Sequence, residues 1–384
     1  MNGEDNQPQS GDRPGTPERA AGSPQQNAGR SGPLSGVRIV EFEGIGPVPL
    51  AAMILADMGA DIVQLGRPGS QDPGAPVLDR GRTIVGVDLK SDAGRGAALD
   101  LLARADALLE GFRPGVMERL GLGPEAVHAV NPRLVYGRMT GWGQHGPMAP
   151  RAGHDLNYIS LTGALHAIGR AGEVPPPPLN LIGDYGGGAM FLVAGVLAGL
   201  VRARTTGAGD VVDAAMTDGT INLLAMFHAF LASGRWQDRR QANLLDGATP
   251  FYRCYECADG RYVAVGCLEP QFYAALLAGL ALDPAAWPQF DLKSWPAMTE
   301  TFAACFKARD RDHWAAHFAD TDACVTPVLS FAEAPDHPHN RARQSYVELG
   351  GVTQPAPAPR FRDAPSAARP AERIALEEAL ARWG

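Results

Sequence analysis

Disulfide bridges, a membrane span and a basic face are all missing from this sequence. Five cysteines in 384 residues cannot make a disulfide scaffold, so free thiols in a reducing, cytoplasmic compartment are expected. No stretch approaches the ~20 uninterrupted apolar residues of a spanning helix, and no membrane partner is expected. Acids outnumber bases 42 to 34, a net charge of −8, which argues against a nucleic-acid-binding face. Residues 1–33 carry no apolar signal-peptide region, and Glu4, Asp5, Asp12 and Glu18 are foreign to a mitochondrial presequence. The ending Arg382-Trp383-Gly384 is not a peroxisomal address.

The common short motifs are also absent. There is no Walker A loop and no Gly-x-Ser-x-Gly elbow. The first strand ends in Glu43-Gly44-Ile45-Gly46-Pro47, without the third glycine of a dinucleotide fingerprint, and the second ends in Gly66 rather than a ribose-binding acid. Cys254-Tyr255-Glu256-Cys257 has only Cys267 nearby, too little for a structural zinc site. His313 and His317 stand one helical turn apart without the glutamate of a zinc protease. Both pairs read as structural or surface residues, and no metal is expected.

What is present is a globular composition, 45% hydrophobic and 20% charged. The 46 glycines and 32 prolines predict many turns. Residues 1–33 are poor in large apolar side chains and predict a disordered tail. Residues 34–140 then alternate. Strands are expected at 37–42, 61–65, 83–89, 107–110 and 134–137, helices at 49–58, 92–104 and 114–120. This βαβ alternation predicts an α/β fold with an open parallel sheet. A long helix opened by Gly186-Gly187-Gly188, a strand at 210–215 and a second long helix at 219–233 follow. Beyond 242–249 the pattern changes to a hairpin around Asp259-Gly260 and helices at 270–280, 296–308 and 310–320. Residues 352–371 read as a connector before a last helix at 371–383. The expected organisation is a large Rossmann-like domain over 34–212, a linker helix over 213–239, a smaller α+β domain over 240–332, and a return to the large domain over 333–384.

Three segments are unusual: one around Gly153–Tyr158 that follows Met139-Thr140-Gly141-Trp142-Gly143-Gln144, one around Asp184, and Gly266-Cys267-Leu268-Glu269-Pro270-Gln271 at the end of the hairpin. In Asn180-Leu181-Ile182-Gly183-Asp184-Tyr185 a carboxylate stands just before a glycine-opened helix. A helix N-terminus stabilises negative charge, on Asp184 itself or on an enolate beside it. An N-cap aspartate with packing glycines explains those residues equally well. Gly153-His154-Asp155-Leu156-Asn157-Tyr158 offers an imidazole, which on its own reads more simply as non-catalytic.

These stretches resemble the family III CoA-transferase superfamily, and within it the α-methylacyl-CoA racemase branch. The resemblance covers about residues 34–370. It is carried by Gly137–Asn157, Pro178–Met190 (PLNLIGDYGGGAM), Ala242–Pro250 (ANLLDGATP) and Glu256–Tyr273. It implies an interlocked homodimer and epimerisation of 2-methylacyl-CoA thioesters through an enolate. His154 and Asp184 would be the two bases, with Glu269 polarising the histidine. No metal and no organic cofactor is implied, CoA being part of the substrate. Arg67, Val87-Asp88-Leu89-Lys90, Gly111-Phe112-Arg113 and Arg119 would hold the nucleotide and phosphates. Gly153, Asp155, Leu156, Asn157 and Tyr158 would lie along the pantetheine. Gln64 and Gly66 depart from the family, which often has a base and an acid there. The alternatives are a CoA-transferase using Asp184 as a nucleophile, against which His154 and Glu269 argue, and a silent CoA-binding scaffold.

Overall fold

The computed structural model describes residues 31–69 and 77–384. The predicted tail falls outside these residues as far as position 30. Its last residues, Ser31–Pro33, already belong to the fold: the Ser31 hydroxyl donates to Pro365 O at 3.1 Å. Gly32 presses so close to Met58 that a Cβ there would sit 2.2 Å from its carbonyl oxygen.

The first unit runs β1 (Arg38–Phe42), α1 (Pro47–Asp57), β2 (Asp61–Gly66), β3 (Arg82–Gly86), α2 (Asp92–Leu102), β4 (Ala107–Glu110), α3 (Val116–Arg119), α4 (Pro124–Val130) and β5 (Val135–Thr140). Then come α5 (Asp155–Ser160), α6 (Ala164–Ala167), a π-helical segment Leu181–Ala189, α7 (Met190–Thr206), β6 (Asp210–Ala215), α8 (Met216–Leu223) and α9 (Ala225–Ala232). The second unit is β7 (Tyr252–Glu256), β8 (Tyr262–Gly266), α10 (Pro270–Gly279), α11 (Trp295–Lys307), α12 (Arg311–Phe318) and β9 (Val325–Pro327). The chain ends with α13 (Pro338–Ala342), β10 (Tyr346–Leu349), β11 (Val352–Pro355), β12 (Glu372–Arg373) and α14 (Leu376–Trp383).

A parallel seven-stranded sheet has the order β12-β3-β2-β1-β4-β5-β6. Both faces are covered, which is why its strands read as nearly continuous apolar runs. Ile39 and Ile62 point into one layer with Leu55 of α1 and Leu192 and Val196 of α7. Their neighbours Val40 and Val63 point into the other with Leu101 of α2 and Trp383 of α14. The chain winds one way from β1 and the other way from β4. Their C-terminal ends therefore flank a crevice, where such sheets bind ligands. The second unit has its own antiparallel sheet, β7-β8-β9, and its own core around Phe251, Phe302 and Phe306.

Several expected boundaries are corrected. β3 stops at Gly86, so Val87–Lys90 is a loop, turned by a bond from Lys90 N–H to Asp88 Oδ1 at 3.0 Å. The long helix begins at Leu181, as a π-helical turn, and not at Gly186. The following helix begins at Met216 and breaks at Leu224 into α8 and α9. The boundary at 212 falls inside β6, which stays paired with β5 as far as Ala215. The last helix starts at Leu376, after a short strand. Helix α4, strand β9 and the β10–β11 hairpin are additional; the two strand features depend on pairing with distant or adjacent chain, which local pattern does not reveal. Among the described residues one helix, Leu181–Thr206, is long and apolar enough to cross a membrane, and half of that stretch is buried in the fold. It packs on the sheet so closely that a Cβ at Gly199 would lie 2.6 Å from Val135.

The π-helical segment crosses α8 through two glycines. A Cβ on Gly219 would meet the Gly187 carbonyl oxygen at 1.9 Å. Gly219→Ala is therefore expected to destabilise the protein by about 1–3 kcal/mol through overpacking. Gly96 lies in α2 with nothing within 4 Å of the same position, so Gly96→Ala should stabilise by about 0.5–1 kcal/mol. Urea unfolding midpoints of the two variants check both signs.

Candidate active site

The crevice at the end of the sheet holds two adjoining cavities. One, of 470 Å³, is bounded by Glu43, Gln64, Gly66, Arg67, Gly86 and Arg373 among others. The other, of 460 Å³, is bounded by Gly111, Phe112, Arg113, Arg151, Gly153, His154, Tyr158, Asn180 and Asp184. Ile45 and Gly46 line both. They follow β1, so the turn that fails as a dinucleotide fingerprint is the wall shared by the two cavities. Gly46 has φ of 77°, and a Cβ on it would lie 3.5 Å from Asp184 Oδ2.

Asp184 sits in the first turn of the π-helical segment. Its side chain accepts a hydrogen bond from Asn180 Nδ2 at 3.3 Å. Its backbone N–H donates to Asp155 Oδ2 at 2.7 Å. Burial raises its pKa above the usual carboxylate range, and the nearby Asp155 charge adds to this. The Asn180 hydrogen bond and His154 pull the other way. The result is a carboxyl group held above the usual aspartate range.

His154 caps α5, and its backbone N–H donates to Asn157 Oδ1 at 3.1 Å. Asp155, the next residue, is buried and faces the Asp184 backbone. Asp155, Leu156 and Asn157 are therefore not among the residues bounding the cavity; Gly153, His154 and Tyr158 are. Tyr158 packs edge-on against Trp142, 4.8 Å between ring centres. Its hydroxyl donates to Gly153 O. Burial, then the Asp184 charge, raises its pKa, so it stays a donor. The Tyr158 ring explains Gly141 and Gly153, where added Cβ atoms would approach it to 2.0 and 2.7 Å.

The loop after β4 forms the opposite wall. Glu110 is fully buried and accepts the Phe112 N–H at 2.7 Å. It also accepts from Arg138 Nε at 3.0 Å, and Arg138 reaches on to Glu118. Burial pushes the Glu110 carboxyl up to about 7 against the pull of Phe112 N–H and Arg138. This network sets the direction of Gly111-Phe112-Arg113 but was not legible as such in the sequence.

The remaining expected residues are dispersed. Arg67 borders the first cavity, its N–H held by Glu43 Oε2 at 2.9 Å. Glu43 leans over Gly66, where a Cβ would come within 2.9 Å of the carboxylate, so an acid is present near that position after all. Val87–Lys90 begins at the rim, where Val87 N–H donates to Gly66 O at 2.8 Å, but bounds neither cavity. Arg119 lies on α3, its guanidinium beside Gly115, also outside both. Glu269 is exposed at the start of α10 in the second unit. Its charge acts on Cys267 and Cys324, and no contact joins it to His154 among the described residues. Among the cavity residues without an assigned role in the sequence are Gly46, Asn180 and Arg151. Only Asn180, four residues before Asp184 on one helical face, carried a readable signal.

Comparison with known proteins places this arrangement. The sequence pattern of CoA-transferase family III matches residues 34–373. The chain belongs to CoA-transferase family III. Within the family it is 45% identical over 328 residues to the α-methylacyl-CoA racemase of Mus musculus, covering 85% of this chain and 86% of that one. To the racemase of Homo sapiens it is 43% identical over 336 residues, 87% of each chain. An acetyl-CoA:oxalate CoA-transferase of Acetobacter aceti is 29% identical over 351 residues, covering 84% of this chain and 88% of that one. A crystal structure of a CAIB/BAIF family protein from Brucella suis has the same fold, with a TM-score of 0.79 at 24% identity, over 92% of this chain and 98% of that one.

Asp155 and Asp184 are like charges, so Asp155→Asn should lower the Asp184 pKa while keeping an acceptor for its N–H. Because burial is the larger cause, the pKa should stay above the ordinary aspartate value. Carboxyl titration followed by ¹³C NMR checks the direction; an upward movement would contradict it.

Proposed function

We propose that the protein interconverts (2R)- and (2S)-2-methylacyl-CoA thioesters by moving the α-proton between His154 and Asp184. The observation that carries this reading is that an imidazole and a half-buried carboxyl of raised pKa border one cavity beside a second of similar size. The 43–45% identity to two racemases supports it. A thioester α-proton is weakly acidic, so its removal needs a base poised near neutrality and stabilisation of the enolate oxygen. Reversible inversion needs a second base on the opposite face. In one direction His154 takes the proton and a protonated Asp184 delivers another; in the reverse direction the roles exchange. The bases are side chains of the protein and CoA is part of the substrate, so the reading requires no metal or organic cofactor.

The CoA moiety would extend along the crevice, with Arg67 at the nucleotide end and the loop Gly111-Phe112-Arg113 beside the phosphates. Val87, Asp88, Leu89, Lys90 and Arg119 flank that path. Guanidinium groups suit phosphates because they make charge-assisted, bidentate bonds. Asp155 and Asn157 support the two bases from behind.

The same reading includes a homodimer. Helix α9 has no buried residue, and Leu223 at 50% and Met226 at 47% exposure are uncovered. An apolar groove of 550 Å³ lies beside them, lined by Phe227, Leu231 and Trp236 among others. Contiguous exposed apolar surface of this kind marks an interface, and an obligate one should bury more than ~2,000 Å². Glu269 of the partner subunit would then complete the histidine's surroundings. The large unit would comprise residues 34–215, which keep β6 whole, with 333–384, and the small one 240–332. All five cysteines are free, which suits a reducing cytoplasm.

His154→Ala and Asp184→Ala are each expected to lower racemisation by about 10²-fold or more, with thioester affinity within a few-fold of the parent by calorimetry. Unchanged racemisation in either variant would remove that residue from the two-base scheme. The CoA-transferase alternative rests on relatives at lower identity; its aspartyl nucleophile would leave His154→Ala fully active.

A further inference from the structure

We propose that Arg151 is an anion-recognition residue of the thioester cavity. This rests on the reading of the cavity as the place where an acyl-CoA binds. The charged side chains bordering that cavity are Arg113, Arg151 and Asp184, with His154 beside them. Asp184 is engaged by Asn180. The two arginines have no carboxylate partner among the described residues. The buried arginines Arg80, Arg82, Arg138 and Arg311 are each paired with a carboxylate, whereas Arg113 and Arg151 are exposed at the mouth of the cavity. With 42 acids to 34 bases, acidic partners are not scarce. Two exposed guanidinium groups that border one concavity without a carboxylate between them offer a site for an anion of the bound molecule.

Arg113 follows β4, where the phosphates of CoA are expected. Arg151 comes from the other side, three residues before His154. It is exposed at the cavity edge, yet its backbone is fixed, for its N–H donates to Met148 O at 2.8 Å and Ala149 behind it is buried. Its guanidinium offers planar, bidentate recognition of a phosphate or a carboxylate. The shared chemistry is an anionic oxygen group of the bound thioester. It has two possible sources, the diphosphate of the CoA carrier or a carboxylate on the acyl chain.

The test uses Arg151→Gln and Arg151→Lys in the full chain. Calorimetric affinity and steady-state kinetics are measured with three thioesters: a neutral 2-methylacyl-CoA, the matching acyl-pantetheine without phosphates, and a 2-methylacyl-CoA ending in a carboxylate. The proposal predicts that Arg151→Gln weakens binding of at least one anionic thioester about tenfold or more. The loss should appear in KM more than in kcat, shrink with added salt, and be partly restored by Lys. If the carrier is the source, both CoA thioesters weaken and the pantetheine thioester does not. If the acyl carboxylate is the source, only the carboxylated thioester weakens beyond the neutral one. Equal affinity of Arg151→Gln and parent for all three overturns the proposal, and so does an equal loss for all three, which would mark a structural role. The affinities are read without turnover, so a parent protein that binds thioesters but does not racemise them would refute the racemase and leave this proposal standing or falling on its own.

Discussion

A single hydrogen bond joins the two halves of the proposed chemistry. The Asp184 N–H donates to Asp155 Oδ2 at 2.7 Å, and Asp155 is bonded along the chain to His154. The segment that carries the imidazole and the segment that carries the carboxyl are thus fixed to each other by one buried carboxylate. That carboxylate also raises the Asp184 pKa through its charge. The same group thus fixes position and adds to an upward shift that burial mainly causes. The glycines around it follow from this closeness: a Cβ on Gly183 would lie 2.7 Å from Asp155 Oδ2.

The sheet supplies the place for this contact. Because the winding reverses between β1 and β4, the loops after both strands open away from each other. One carries Ile45 and Gly46, the other Gly111–Arg113, and the helix bearing Asp184 crosses behind them. The fold buries α7 against the sheet through Leu192, Val196 and Leu200. The large apolar surface that positions Asp184 is therefore the same surface that holds the sheet together. Damage to the glycine crossing with α8 should then reach stability and chemistry together.

Much of the sheet was legible in the sequence because its strands are short apolar runs punctuated by glycine and by capped helices; Ala107–Glu110 and Asp210–Ala215 were read with their boundaries. Asp184 and His154 could be singled out, but only resemblance to a family gave them roles, since neither residue type in isolation distinguishes a base from a cap. What local pattern could not supply was pairing between distant segments. The β9 strand joins β8 across about sixty residues, and the Glu110–Arg138 contact spans two strands. The π-helical start at Leu181 was missed because glycines were taken to open the helix, whereas they serve its crossing with α8. Glu269 is the instructive case. Its motif was readable, yet within the chain it is exposed and has no contact with His154 among the described residues.

The most direct test of the central claim is solvent exchange by the unmodified protein. A (2R)-2-methylacyl-CoA is incubated in D₂O with no acceptor acid, and α-deuterium and configuration are followed together. Two-base proton transfer between His154 and Asp184 predicts deuterium at the α-carbon and approach to a near-equal mixture of epimers. No exchange, with CoA transfer appearing once a free carboxylic acid is added, would contradict it and make Asp184 a nucleophile.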